Sequence, residues 1–166
     1  MSTNSLTDLM SVLSEKVHVL ESMQFFLEEE ERCITEHKPK QLEENTRKTE
    51  ELMIRLNTVN DRLRVLLFRV GDELGLHGAG TLSSLFPGVS PEIRIQLRTS
   101  QERCFTAAAA IKHHLKINEG LIKQSLSVID RSMSLFIRVL GGYETYGANG
   151  CILKAKAARG VLRQEI

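Results

Sequence analysis

Apolar residues recur along this chain at alternating three- and four-residue steps, the spacing that lays a stripe down one face of an α-helix. In residues 6–36 the stripe is Leu6, Leu9, Leu13, Val17, Leu20, Gln24, Leu27 and Ile34. It returns as Leu52, Leu56, Val59, Leu63, Leu66, Val70 and Leu74. A third run passes through Ile93, Leu97, Cys104, Ala108, Ile111, Leu115, Asn118, Ile122, Ile129, Met133, Phe136 and Leu140. Helix breakers sit between these runs. Pro39 stands alone between the first two, a Gly/Pro-rich stretch fills 71–91, and glycines crowd 141–150. Because Gly and Pro are costly inside helices and favoured at turns, the pattern predicts helices over about 4–36, 39–74 and 91–140. A connection as short as His37-Lys38-Pro39-Lys40 returns the second helix antiparallel to the first. The expected fold is all-α: an antiparallel three-helix, coiled-coil-like bundle with a long third helix that outruns the others. A helical domain at 1–140 is followed by a flexible tail at 141–166.

Local signals refine this picture. Ser5 with Asp8 can cap the first helix. Thr81 to Phe86 reads as one helical turn, and Ser90-Pro91-Glu92 as a helix start. Glu43–Arg47, Glu44–Lys48 and Glu51–Arg55 are pairs four residues apart with the acid first, suited to an exposed face. The run Glu28-Glu29-Glu30-Glu31 reads as a solvated face, because four consecutive side chains point all round a helix. Asn118 lies on the apolar stripe, where a polar side chain costs stability and can fix register. Gly120 is a weak point two residues on.

Composition narrows the function classes. Trp is absent and aromatics make up 5% of the chain, so the core rests on aliphatic residues, which suits helix seams. Residues 1–36 carry eight acidic and two basic side chains, whereas 90–140 carry eight basic and four acidic ones, an asymmetry that favours pairing of the first and third helices. The overall formal charge of +1 argues against bulk nucleic-acid binding. Cys33, Cys104 and Cys151 are too scattered for a disulfide framework or a zinc site. Adjacent His113 and His114 point about 100° apart and cannot grip one metal as an i, i+4 pair would. Gly75-x-x-Gly78-x-Gly80 lacks the strand and the Gly-Lys-Ser/Thr of a phosphate loop. No apolar run approaches the roughly 18 residues of a membrane span, and no signal peptide is apparent. These features predict a cytoplasmic, non-catalytic protein without metal or cofactor. They leave open a structural coiled coil or a nucleic-acid-binding helical protein.

Four segments together carry a resemblance. They are Leu27-Glu28-Glu29-Glu30-Glu31; Lys48-x-x-Glu51-Leu52 with Leu56 and Arg62; Asn118-x-x-Leu121-Ile122; and Tyr146-Gly147-Ala148-Asn149-Gly150. Across nearly the whole chain the sequence resembles the flagellar type III export chaperones of the FlgN type. The resemblance implies a cytoplasmic chaperone that binds the C-terminal helical segments of hook–filament junction (hook-associated) proteins. Such a chaperone prevents premature assembly and delivers its clients to the cytosolic domain of the export gate. It further implies client binding around Asn118, Leu121, Ile122, Ile129 and Met133. That set overlaps the face that the overhanging third helix leaves without a partner, Ile122, Leu126, Ile129, Met133 and Phe136, and Leu115 completes the expected client-binding set. Gate docking falls to Tyr146, Gly147, Asn149 and Gly150. Whether the free protein is a monomer or a homodimer is left open by the sequence.

Overall fold

The computed structural model describes residues 3–139, together with the backbone of two short strands at 145–146 and 152–153. Helix α1 spans Thr3–Thr35, α2 Pro39–Glu73, α3 Leu82–Leu85 and α4 Pro91–Val139, with a 3-10 turn at Phe86–Gly88. The three long helices lie within a residue or so of the boundaries the breakers predict. No strand interrupts them. Residues Met1–Leu121 form one compact unit and Ile122–Ile166 a second, each described here by itself.

In the first unit, both connections are built on the same helix-ending geometry. At the end of α1, the Lys38 amide donates to the Cys33 carbonyl and the His37 amide to the Ile34 carbonyl. At the end of α2, the Leu76 amide reaches Gly71 and the Gly75 amide reaches Asp72. This double bond pattern places one residue in the left-handed region. Gly75 takes it at φ 70° without strain, and His37 takes it at φ 55°. The α2 end also folds back tightly: a Cβ on Gly71 would lie 2.6 Å from the Ala79 Cβ. Beyond it, the expected single turn is α3, closed by a reciprocal capping box between Thr81 and Ser84. The Ser90 hydroxyl then accepts from the Ile93 amide at 3.4 Å to start α4.

Cross-helix bonds fix the directions. The Ser5 hydroxyl donates to Glu73 at 2.7 Å, Arg55 and Arg62 both donate to Glu15, and the Thr49 hydroxyl donates to Glu30 at 3.1 Å. Low numbers on α1 therefore meet high numbers on α2, so the pair is antiparallel. Arg103 grips Glu21, His114 lies 3.1 Å from Glu31, and the Asn118 amide donates to the Leu27 carbonyl at 3.0 Å. Within this unit α4 accordingly runs parallel to α1. The acidic-first, basic-third charge asymmetry of the sequence is realised in the Arg103–Glu21 pair. The core unites Leu9, Leu13, Val59, Leu63, Leu85 and Leu97 from all four helices.

Three local readings need correction. Ser5 lies inside α1 and ties it to Glu73, because the helix already begins at Thr3. Arg55 reaches across to Glu15 rather than along its own helix to Glu51, since Glu15 also collects Arg62 and makes the better anion site. Those two guanidinium groups, the Arg55 bond first, hold the Glu15 carboxyl below its usual range. Finally, Glu30 is buried, whereas the acidic run suggested a solvated face.

The second unit contains the C-terminal stretch of α4 and a two-residue antiparallel ladder that pairs Thr145 with Leu153 and Tyr146 with Ile152. The ladder falls in the stretch read from sequence as a flexible tail. Thr145, Tyr146 and Ile152 are good strand formers. The remainder of 141–166 lies outside the described residues.

The two helical glycines should respond oppositely. Gly71→Ala should destabilise by about 1–3 kcal/mol through overpacking against Ala79. At Gly120 a Cβ meets nothing within 4 Å, so Gly120→Ala should stabilise α4 by up to about 1 kcal/mol. Urea unfolding of both variants checks the pair; a matching sign would refute it.

Candidate functional site

The third apolar stripe has two solutions at three/four spacing, and packing chooses between them. From Cys104 the sequence favours 104-108-111-115-118-122, because Leu115 and Ile122 are strongly apolar. The structure instead turns Ala107, His114 and Leu121 toward the interior: Ala107 is 2% exposed, while Leu115 is 49% and Ile122 44% exposed. His114 is half-buried against Glu31, and Leu121 is half-buried. What decides the register is Asn118. It is buried at 5% exposure, and its amide donates to Leu27.

Around Asn118 the helices form a polar layer within the first unit. Glu30 from α1, Thr49 from α2 and Asn118 from α4 are all buried. The Glu30 carboxyl accepts from Thr49. Burial raises its pKa above the ordinary carboxylate range, and the neighbouring polar groups of Thr49, Thr46 and Asn118 oppose the shift without cancelling it. The Asn118 Oδ1 atom is buried without a protein partner. A polar layer of this kind sacrifices some stability and selects one alignment of the helices. Of the residues expected to bind a client, Asn118 is thus placed inside the bundle, holding α4 to α1.

The other expected residues lie on the helix surface. Within the second unit Ile122, Ile129, Met133 and Phe136 are each between 44% and 60% exposed, with Leu126 at 55% on the same face. At 100° per residue these five fall within about 80° of one another, a continuous apolar stripe. Val128, Leu135 and Val139 form a neighbouring stripe that is equally exposed. The sequence reading missed that second stripe, although adjacent apolar pairs at 128–129 and 135–136 announce it. Lys123, Gln124, Arg131 and Arg138 occupy the opposite side.

Among the gate-docking candidates, Tyr146 lies in the first strand, in register with Ile152. Gly147, Asn149 and Gly150 lie outside the described residues.

This arrangement suits binding by apolar contact. An exposed aliphatic and aromatic helix face of this extent is what amphipathic-helix recognition uses. The Cys104 thiol, by contrast, is held protonated by burial, which pushes its pKa up. Among the described residues no group of three His, Cys, Asp or Glu side chains is placed to hold a metal, and no helix is long and apolar enough to cross a membrane.

The family described as FlgN protein matches residues 1–152. The chain belongs to the FlgN family. It is therefore related to the flagellar export chaperones, which bind hook-associated proteins, and the resemblance read from its motifs agrees with the match over nearly the full length. No curated protein and no solved structure matches the chain. In this FlgN-family chain, two of the quoted motif segments fall in the polar layer: Glu30 belongs to the acidic run, and Asn118 opens the Asn-x-x-Leu-Ile element.

The polar layer carries a pH signature. Because burial raises the Glu30 pKa in the folded state, the folded protein binds this proton more tightly than the unfolded chain does. Its contribution to stability is therefore greatest at acid pH and declines as pH rises through the folded-state value. Glu30→Gln keeps an acceptor for Thr49 and removes the charge. The variant should be more stable than the parent at pH 7 and should lose less stability between pH 5 and pH 7. Urea midpoints at the two pH values test this; an equal or steeper loss in the variant would refute it.

Proposed function

We propose that this FlgN-family chain is a cytoplasmic, non-catalytic chaperone that captures the C-terminal helical segments of hook–filament junction proteins. It shields them from premature assembly and delivers them to the cytosolic domain of the export gate. The observation that carries the reading is the exposed apolar stripe of α4, formed by Ile122, Ile129, Met133 and Phe136. An amphipathic client helix laid on this stripe would bury apolar surface on both sides, which is the main driving force for such association. Family membership supplies the class of client. Asn118 and Leu121 serve by positioning: they set the rotation of α4.

Delivery is assigned to the Tyr146-Gly147-Ala148-Asn149-Gly150 element, with Tyr146 as the anchor. A tyrosine combines a broad apolar face with one hydroxyl, enough to hold a shallow pocket on the gate.

Titration of a junction-protein C-terminal peptide into the full chain tests capture. Ile129→Asp should leave helix content intact and weaken the peptide by at least about 2 kcal/mol, because the carboxylate would be dried in the interface. Full-strength binding by the folded variant would move the client elsewhere. For delivery, Tyr146→Ala should preserve peptide affinity while lowering gate affinity and junction-protein secretion. Unchanged secretion would remove Tyr146 from the gate contact, and lost peptide binding with intact gate binding would reverse the two roles.

A further inference from the structure

The exposed stretch of α4 carries more apolar width than one partner helix needs. Val128-Ile129 and Leu135-Phe136 are adjacent apolar pairs seven residues apart, and all four side chains are 56–60% exposed. Neighbours in sequence point about 100° apart on a helix. A single docked helix meets a narrow seam, so it covers one member of such a pair and leaves the other at its rim.

The protein contains its own calibration of this rule. In α1, Val12-Leu13 and Val19-Leu20 are likewise apolar pairs seven residues apart, and all four are buried. Helix α1 has hydrogen-bonded neighbours on two sides, α2 through Glu15 and α4 through Glu21. In this protein, then, apolar pairs repeated seven residues apart are buried at both members on the helix that has neighbours on two sides.

From this comparison we infer that residues 122–139 are built as the central helix of a three-helix array, and that one client chain supplies the two missing helices. The inference rests on the client-capture reading and extends it to the form of the client, a two-helix amphipathic segment rather than a lone helix. Charge selects the client over a second copy of this chain. The stretch carries Lys123, Arg131 and Arg138 against Asp130, a net positive charge that opposes the approach of a second copy. A segment with acidic flanks would complement it, as acidic α1 complements Arg103 in the bundle.

The test uses the full chain, the full-length junction protein, and one substitution in each stripe. Val128→Asp and Ile129→Asp both lie at exposed positions, and circular dichroism of each variant checks that it folds. Calorimetry should show each weakening the client by roughly 30-fold or more. A photo-crosslinker at Val128 and one at Ile129 should mark two separate segments of a single client chain. If only one substitution weakens binding, or both crosslinkers mark one helix, the two-helix inference falls while client capture on α4 stands. Crosslinking of one stripe to a second copy of the chaperone also overturns it. If neither substitution matters, client capture on this stretch falls, and this inference with it.

Discussion

Helix α1 must satisfy two neighbours at once, and the described bundle depends on that demand. Its buried residues include Leu9, Val12, Leu13, Val17, Val19 and Leu20, a face too wide for one seam. The antiparallel return of α2 covers one side and α4 the other. Apolar burial supplies the driving force without choosing an alignment, because Leu, Ile and Val seams slide past one another at modest cost. Alignment comes from polar contacts placed at intervals: Ser5 with Glu73, Glu15 with Arg55 and Arg62, Glu21 with Arg103, and Glu30 with Thr49. The exposed ion pairs among these contribute little energy individually. The buried Glu30–Thr49–Asn118 layer discriminates more sharply, because a shifted alignment would strand a buried carboxyl group and an amide without partners.

The helix boundaries were legible because they depend on local chemistry. Pro39 at the first position of α2, the Thr81–Ser84 capping box and the Ser90 cap act within a few residues of themselves. The inward face of α4 was not legible for a complementary reason. Ala107 and Ala108, His114 and Leu115, and Leu121 and Ile122 offer two stripes of equal periodicity, and hydrophobicity favours the wrong one. Only Leu27 and Glu31 on another helix settle it, through Asn118 and His114. Burial of Glu30 had the same character. Nothing in four consecutive glutamates says which one will face Thr49 from 19 residues away.

For the candidate docking face, the sequence located the helix and one of its two exposed stripes. It placed Asn118, Leu121 and Ile122 together on a single face, whereas the structure separates them: Asn118 inside, Leu121 half-buried and Ile122 exposed. Leu115 and Ile122, both expected on the client face, are apolar residues that the bundle does not consume. The family match over residues 1–152 relates the chain to the flagellar export chaperones without naming the residues that would meet a client.

A helix with this much exposed apolar surface has to resist sticking to itself. Ser125 and Ser132 lie between the two stripes of residues 122–139 and interrupt what would otherwise be one apolar sheet of side chains. Arg131 and Arg138 on the opposite side give the stretch a positive field that opposes approach of identical copies. Such devices lower the affinity of every partner somewhat, but they penalise an identical copy more than an acid-flanked helical segment. Most positions of the stretch are exposed, and a helix of this length is marginal in water by itself. Continuity with the ordered turns of α4 before Ile122 removes the nucleation cost. The candidate docking face is thus helical without a partner, so that less binding energy would be lost to ordering it.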